Sequence, residues 1–132
     1  MENYSISSGK LDLALLLAPK DAICAGTFTQ SSIRAAYVDI CQQKLQEYAG
    51  KARAVLINSG QANACIGRQA FIDSYRAIDE LSGHLGVSTS QVLMCSTGVI
   101  GEAIPMQKLL NGLEKLVSSL DDSGGNNAAQ AI

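Results

Sequence analysis

The sequence has few of the residues that mark nucleic-acid-binding or metal-binding proteins. Its 132 residues include no tryptophan, one histidine, two prolines and only 5% aromatic residues, and 10 basic side chains are balanced by 12 acidic ones for a net charge of −2. No basic cluster exceeds two charges, so neither a surface that could follow a phosphate backbone nor a platform for stacking bases is visible. We expect no nucleic-acid partner.

Long hydrophobic runs are also missing. The longest, Leu13 to Ala18, is far shorter than the roughly 18 residues that a membrane-spanning helix needs. The N-terminus carries Glu2 and Asp12 and lacks the basic-then-apolar pattern of a secretory signal. We therefore expect no membrane span and a cytoplasmic location.

The four cysteines are too widely spaced to form a recognisable metal or redox motif. Cys24, Cys41, Cys65 and Cys95 include no C-x-x-C pair, and His84 is the only histidine that could complete a zinc site. We predict that each cysteine is a small buried apolar residue in a reducing compartment, and we expect no metal.

The high apolar content, 47% against 17% charged residues, indicates one globular domain. Residues 11–17 alternate and then become continuously apolar, which predicts a strand buried on both faces. Residues 22–29 predict a second strand that pairs with the first as a hairpin. Residues 35–50 predict a helix with an apolar face at helical spacing. That face consists of Val38, Cys41, Leu45 and Tyr48.

The rest of the chain repeats a strand-loop-helix order twice. Strands are predicted over 52–57 and 92–95, and they are followed by loops over 58–67 and 96–104. The first of the two helices ends at the glycines of 83–86 and the second begins at Pro105. Their apolar faces are Phe71, Tyr75, Ile78 and Leu81 in the first, and Met106, Leu109, Leu110, Leu113, Leu116, Val117 and Leu120 in the second.

These elements predict an α/β (α+β) fold, in which a mixed β-sheet packs with helices. We assign residues 1–120 to a single domain. Residues 121–132 form a linker-like tail, because residues 121–127 are rich in Asp, Ser, Gly and Asn.

Both loops lie between the end of a strand and the start of a helix, where backbone N–H groups can meet an anion. The first contains Asn58, Ser59, Gly60 and Asn63, whose polar groups could support the loop or contact a ligand; residue types alone favour support. The second places a hydroxyl beside a glycine N–H. Neither loop matches a nucleotide-binding motif.

Isolated titratable residues do not make a catalytic set. His84 lies at the end of a predicted helix, where it suits the helix C-terminus, and Asp73 and Glu102 are each more typical of helix-start charges.

Four segments together resemble the ornithine acetyltransferase family of arginine biosynthesis. Their order and spacing match that family from about Lys10 to Ile132, and Gln61 and the final five residues are similar to cyanobacterial members. The segments are Leu11–Leu15, Ala25–Thr29, Asn58–Ala64 and Ser96–Gly101.

The resemblance implies a precursor that cleaves itself between an alanine and a threonine, which becomes the nucleophile of a second chain. Acetyl would pass from N-acetylornithine to that threonine and then to glutamate. The family's oxyanion hole carries over to the Thr97 hydroxyl and the Gly98 N–H. For the segment with Asn58, Ser59, Gly60 and Asn63, the resemblance implies only that it lies near the bound substrate. No cofactor is implied, although the family leaves acetyl-CoA open as an alternative acetyl donor.

This chain departs from the family in length. Members are about three times as long, and the chain stops just before the Thr-Thr-Asp stretch that normally follows. We therefore expect an enzyme part that is inactive alone, needs a complementary C-terminal (beta) chain and forms an oligomer. Two alternatives stay open: a non-catalytic module that binds small molecules, and a remnant that self-associates through the surface left by the missing part.

Overall fold

A computed structural model describes residues 2–7, 11–18, 20 and 22–132. It contains four strands, four α-helices and one short 3₁₀ turn in the described part of the chain. The strands are β1 (Glu2–Ser7), β2 (Leu11–Leu17), β3 (Ala54–Gln61) and β4 (Val92–Val99), and the helices are α1 (Ala36–Glu47), α2 (Arg68–Leu85), α3 (Met106–Ser118) and α4 (Gly125–Gln130), with the 3₁₀ turn at Thr89–Gln91.

The four strands form one mixed sheet in the order β1-β2-β3-β4. β2 is antiparallel to both β1 and β3, whereas β3 and β4 are parallel. The mixed sheet confirms the predicted fold class. The predicted hairpin partner of β2 is wrong: residues 2–7 pair with it, and residues 22–29 form an irregular segment with one isolated bridge, Ile23 to Lys51. β3 pairs with the other edge of β2, so neither edge is free for residues 22–29.

The main core lies between one face of the sheet and helices α2 and α3. Strand residues such as Leu15, Leu56 and Met94 are fully buried there. The predicted stripe of α3 is confirmed, with three leucines buried at its centre and its remaining apolar residues packed around them; the three are Leu109, Leu113 and Leu116. No helix in the described residues is long and apolar enough to cross a membrane.

The predicted faces of α1 and α2 are partly wrong. Tyr48, Phe71 and Tyr75 are exposed, whereas the predicted Cys41, Ile78 and Leu81 are buried. Apart from Ile40, the other buried residues of the two helices are small or polar. On α2 the buried face includes Ala70 and Ser74, to which Asn63 Nδ2 donates hydrogen bonds of 3.1 Å (Ala70 O) and 2.9 Å (Ser74 Oγ). The α2 C-terminus is as predicted, with Gly86 in the left-handed conformation.

Helix α4 covers part of the second face of the sheet. Its Ala128 and the following Ala131 pack on Ala14 of β2, with Ile57 beside them. The glycines and asparagines of this segment resemble a linker in composition, yet residues 125–130 are helical. The division between a domain at 1–120 and a tail at 121–132 stays a prediction.

Helix α1 lies along β4, the strand at the edge of the sheet. Three side chains on one face of the helix bond to the outer backbone groups of β4: Lys44 Nζ donates to Val92 O at 3.0 Å, Cys41 Sγ donates to Met94 O at 3.2 Å, and Tyr37 Oη donates to Ser96 O at 2.7 Å. Lys44 also donates to Thr89 O. Buried backbone groups need such partners, since an unsatisfied one costs about 1–3 kcal/mol.

Burial of this contact shifts the pKa of all three side chains, and it raises that of Tyr37. Desolvation lowers the pKa of Lys44, and it raises the pKa of the Cys41 thiol to about 11. Cys24 is partly buried, but Cys65 and Cys95 are exposed, so the expectation that all four cysteines are buried is wrong for those two. Because its pKa is raised, the Cys41 thiol stays protonated, and it donates a hydrogen bond to β4.

Gly98 lets β4 approach β3 closely near the strand ends. A Cβ atom on Gly98 would lie 2.2 Å from Gly60 O, and Gly98 has a φ of +125°. Both the contact and the conformation exclude other residues at position 98. By contrast, nothing lies within 4 Å of a Cβ built on the helical residue Gly83.

We predict that Gly98→Ala lowers the free energy of unfolding by about 2 kcal/mol or more, because the methyl group must push the two strands apart. Gly83→Ala is the matched control, and it is expected to raise stability by up to about 1 kcal/mol through helix propensity. Urea unfolding followed by circular dichroism measures both. Equal stability of the two variants would contradict the close approach.

We also predict that iodoacetamide at pH 8 labels Cys65 in the folded chain and leaves Cys41 unlabelled. A thiol with the raised pKa is only about one part in a thousand thiolate at that pH, and Cys41 is buried between α1 and β4. Mass spectrometry of tryptic peptides gives the extent of labelling at each position, and the chain unfolded in urea serves as the control for Cys41. Comparable labelling of both thiols in the folded chain would mean that α1 does not cover β4.

Candidate functional site at the ends of β3 and β4

The two predicted loops begin as paired strands. β3 continues to Gln61 and β4 to Val99, with Asn58 opposite Ser96, Ser59 opposite Thr97 and Gly60 opposite Gly98. The predicted loop starts at 58 and 96 are therefore wrong. Backbone pairing holds these polar residues in the sheet, although their side chains are typical of loops.

The position of Ser96 is fixed by a buried hydrogen-bond network. Asn58 Nδ2 donates to Ser96 Oγ at 2.8 Å and to Gln61 O at 3.0 Å, and Ser96 Oγ donates to Gln61 O at 2.6 Å. Since the Ser96 hydroxyl uses its proton on Gln61 O, it must accept from the Asn58 amide. The Asn58 side chain therefore ties the ends of β3 and β4 together.

Thr97 presents its side chain on the other face of the sheet. It is exposed, and its partner Ser59 points to the same face because side chains opposite each other in a pair share a face. Ser59 Oγ donates to Ile132 O at 3.4 Å, so the last residue of the chain lies beside this pair. Apolar side chains continue the exposed surface: Val99, Ile100 and Ile132 are each more than half exposed.

A cleft of about 550 Å³ lies beside β3 and the start of α3. Its charged lining residues are Asp12, Lys108 and Lys115, which give an excess of one positive charge. Ser59 and Gln61 also line it, together with Asn58. The cleft is thus next to the Asn58 network and suits a ligand that carries a carboxylate.

The structure brings together some of the predicted site residues and not others. Asn58, Ser59, Gly60, Thr97 and Gly98 meet at the paired strand ends. Asn63 is fully buried against α2, where both protons of its Nδ2 amide group are used within the protein.

The titratable candidates are dispersed. His84 lies beside Glu80 on α2, with 3.7 Å between Nε2 and Oε1. Asp73 is buried on the same helix and accepts a hydrogen bond of 2.8 Å from Gln69, while Glu102 is exposed in the segment between β4 and α3. In the described ranges, no group of three or more His, Cys, Asp or Glu side chains could hold a metal ion.

Two residues of the site were missed from the sequence. Tyr37 bonds to the backbone of β4, and Ser96 is the centre of the network with Asn58. Tyr37 lies in the predicted helix four residues before Cys41, and hence on the same face. That spacing indicates a contact with β4 only once β4 is known to lie beside this face.

Comparison with known proteins finds one family throughout. The ArgJ family model matches residues 2–132. The arginine biosynthesis bifunctional protein ArgJ of Prochlorococcus marinus (strain MIT 9313) is 62% identical over 95% of this chain and 29% of the relative. The corresponding protein of Parasynechococcus marenigrum (strain WH8102) is 59% identical over 95% of this chain and 31% of the relative. The chain thus spans about three tenths of the length of these relatives.

Solved structures with the same fold include two from bacteria. The ornithine acetyltransferase of Mycobacterium tuberculosis, in complex with ornithine, superposes with a TM-score of 0.94 at 37% identity, over 99% of this chain and 74% of that one. ArgJ of Bacillus halodurans superposes with a TM-score of 0.92 at 28% identity, over 99% of this chain and 70% of that one. The family match along the chain and the shared fold show that this protein belongs to the ArgJ family, as its motifs predicted.

Proposed function

We propose that the chain is the N-terminal part of an ornithine acetyltransferase, in which the Thr97 hydroxyl and the Gly98 N–H form the oxyanion hole. The observation that carries this proposal is the end of β4. There an exposed hydroxyl is next to a glycine whose backbone is held against Gly60. Preorganised donors of this kind stabilise the negative charge that develops in acyl transfer.

The direction of the Gly98 N–H follows from the alternation of a strand. Backbone groups of alternate residues point to the same edge, and those of Met94 and Ser96 point away from β3 toward α1. The N–H of Gly98 therefore faces the same outer edge, just beyond the part of β4 that α1 covers. A ligand carbonyl could reach it there.

In the proposed reaction a threonine hydroxyl, supplied from outside these 132 residues, attacks the amide carbonyl of N-acetylornithine. The carbonyl oxygen becomes an oxyanion that Thr97 and Gly98 bind. As the carbon–nitrogen bond breaks, the hydroxyl proton passes to the leaving nitrogen and ornithine departs as the free amine. The amine of glutamate then attacks the acetyl-threonine ester, which releases N-acetylglutamate and restores the threonine hydroxyl. The bound ornithine in the M. tuberculosis structure supports this substrate class.

Substrate contact near the Asn58 segment stays part of the proposal. Both protons of Asn58 Nδ2 and of Asn63 Nδ2 are used within the protein, so side-chain or backbone donation to a substrate would fall to Ser59 and the Gly60 backbone. The cleft between β3 and α3 has a positive excess, which suits the carboxylates of N-acetylornithine and glutamate.

We infer that a complementary C-terminal chain covers the exposed face around Thr97. Exposed Val99, Ile100 and Ile132 surround this face, and apolar surface of this kind favours association. The same partner would supply the nucleophile, in an oligomeric enzyme.

We predict that the isolated chain does not exchange acetyl between N-acetylornithine and labelled glutamate, and that adding the C-terminal remainder of the P. marinus MIT 9313 relative restores exchange. The reason is that only the assembled site holds both nucleophile and oxyanion hole. Gel filtration of the mixture is the control for assembly. An assembled but inactive mixture would contradict the proposal and favour a binding module or a self-associating remnant.

In the active assembly, we predict that Thr97→Ala lowers kcat by about 10²–10³-fold with little change in stability, because one oxyanion donor is lost from an exposed position. Thr97→Ser keeps the hydroxyl and is the matched control, for which kcat should stay within about tenfold of wild type. Unchanged kcat in Thr97→Ala would remove this residue from the oxyanion hole.

A further inference from the structure

Tyr37 makes the contact of α1 that lies nearest to the proposed oxyanion donors. Its hydroxyl donates to Ser96 O at 2.7 Å, and Ser96 immediately precedes Thr97. Tyr37 belongs to the first turn of α1, so the helix does not extend beyond it along β4. The next edge group of β4 after Ser96 is the N–H of Gly98. The helix thus supports the strand up to the donor and leaves the donor open.

The spacing of the three edge contacts explains how Tyr37 reaches this position. From Tyr37 to Lys44 the helix rises about 10 Å, whereas β4 extends about 13 Å from Val92 to Ser96. The helix runs antiparallel to β4, and long side chains at its two ends span the difference, with the short Cys41 between them. A shorter residue at position 37 would leave Ser96 O without this partner.

Ser96 is held from two sides. Tyr37 binds its carbonyl oxygen, and the Asn58 amide binds its hydroxyl at 2.8 Å. The Ser96–Thr97 peptide plane follows from the first of these contacts, because the carbonyl oxygen belongs to that plane. The orientation of that plane sets the direction of the Thr97 side chain and of the next peptide, which carries the Gly98 N–H.

We propose that Tyr37 is a positioning residue of the oxyanion hole, which orients the Ser96–Thr97 peptide so that the Thr97 hydroxyl and the Gly98 N–H converge on one site. This inference rests on the proposed function, since it assigns Tyr37 a role only if those two groups bind the oxyanion. No such role follows for Cys41 or Lys44, because their acceptors on β4 lie two and four residues before Ser96.

The Tyr37 hydroxyl is suited to this task because it remains a donor. Its partial burial raises the pKa of the phenol, so the proton stays in place throughout the neutral pH range. A carbonyl oxygen can only accept, and an ionised phenolate could not donate to it.

The test is Tyr37→Phe in the assembled enzyme, which removes one hydroxyl and keeps the ring. We expect kcat to fall about tenfold while KM stays within about twofold, because misplaced oxyanion donors affect the transition state and not the bound substrate. Cys41→Ala is the matched control: it removes another hydrogen bond from α1 to β4, and it should lower stability while kcat stays near wild type.

The outcomes separate this inference from the proposed function. Loss of kcat in Thr97→Ala with normal kcat in Tyr37→Phe would overturn the role of Tyr37 and leave the oxyanion hole standing. Normal kcat in Thr97→Ala would overturn the proposed function itself. An equal loss of kcat in Tyr37→Phe and Cys41→Ala would assign the effect to general stability and overturn the positioning role.

A second measurement uses the 132-residue chain without its partner. In Tyr37→Phe the amide nitrogen and proton signals of Thr97 and Gly98 should shift in nuclear magnetic resonance spectra, whereas in Cys41→Ala the shifts should centre on Met94. Unchanged Thr97 and Gly98 signals in Tyr37→Phe would overturn the inference independently of any activity.

Discussion

β4 is an edge strand, and its outer backbone groups must find hydrogen-bond partners inside the protein. Helix α1 meets this requirement with side chains and not with another strand: a phenol, a thiol and an ammonium group bond to carbonyls of alternate β4 residues. The contact covers β4 from Val92 to Ser96, so this part of the edge cannot pair with a further strand. It also fixes α1 relative to the sheet, which closes one side of the main core.

The same edge decides where the candidate site lies. α1 covers β4 as far as Ser96, and the strand continues past the helix to Val99. Beyond that point the strands are held by other means: the Asn58 amide joins them on one face, and the Gly60–Gly98 approach brings their backbones together. A polar and glycine-containing strand end would otherwise fray, since it lacks the packing of apolar strands. A preorganised set of donors requires fixed positions of this kind.

The chain presents this set of donors at a surface that it does not cover itself. Thr97 is exposed beside apolar Val99 and Ile100, and the C-terminal residue Ile132 lies against Ser59 of the neighbouring strand. A site at such a surface fits an enzyme whose chemistry is shared between two pieces of polypeptide. In the proposed enzyme the N-terminal piece would contribute fixed hydrogen-bond donors, and the reactive group would belong to the other piece.

The sequence by itself determined the elements with strong periodicity and the motifs with unusual spacing. The apolar face of α3, the β2 strand and the glycine at the end of α2 could be predicted from the sequence, because each depends on residues close together in the chain. The family followed from four short segments taken in order. Local patterns did not determine which strand pairs with β2, since residues 2–7 have a weak pattern and lie before it. Nor did they reveal that Asn58 and Thr97 belong to strands, that Phe71 and Tyr75 face outward, or that Lys44 and Tyr37 support an edge. Those outcomes depend on partners between about 40 and 60 residues away, or on competition between neighbouring elements for the same surface, and only the tertiary structure decides them.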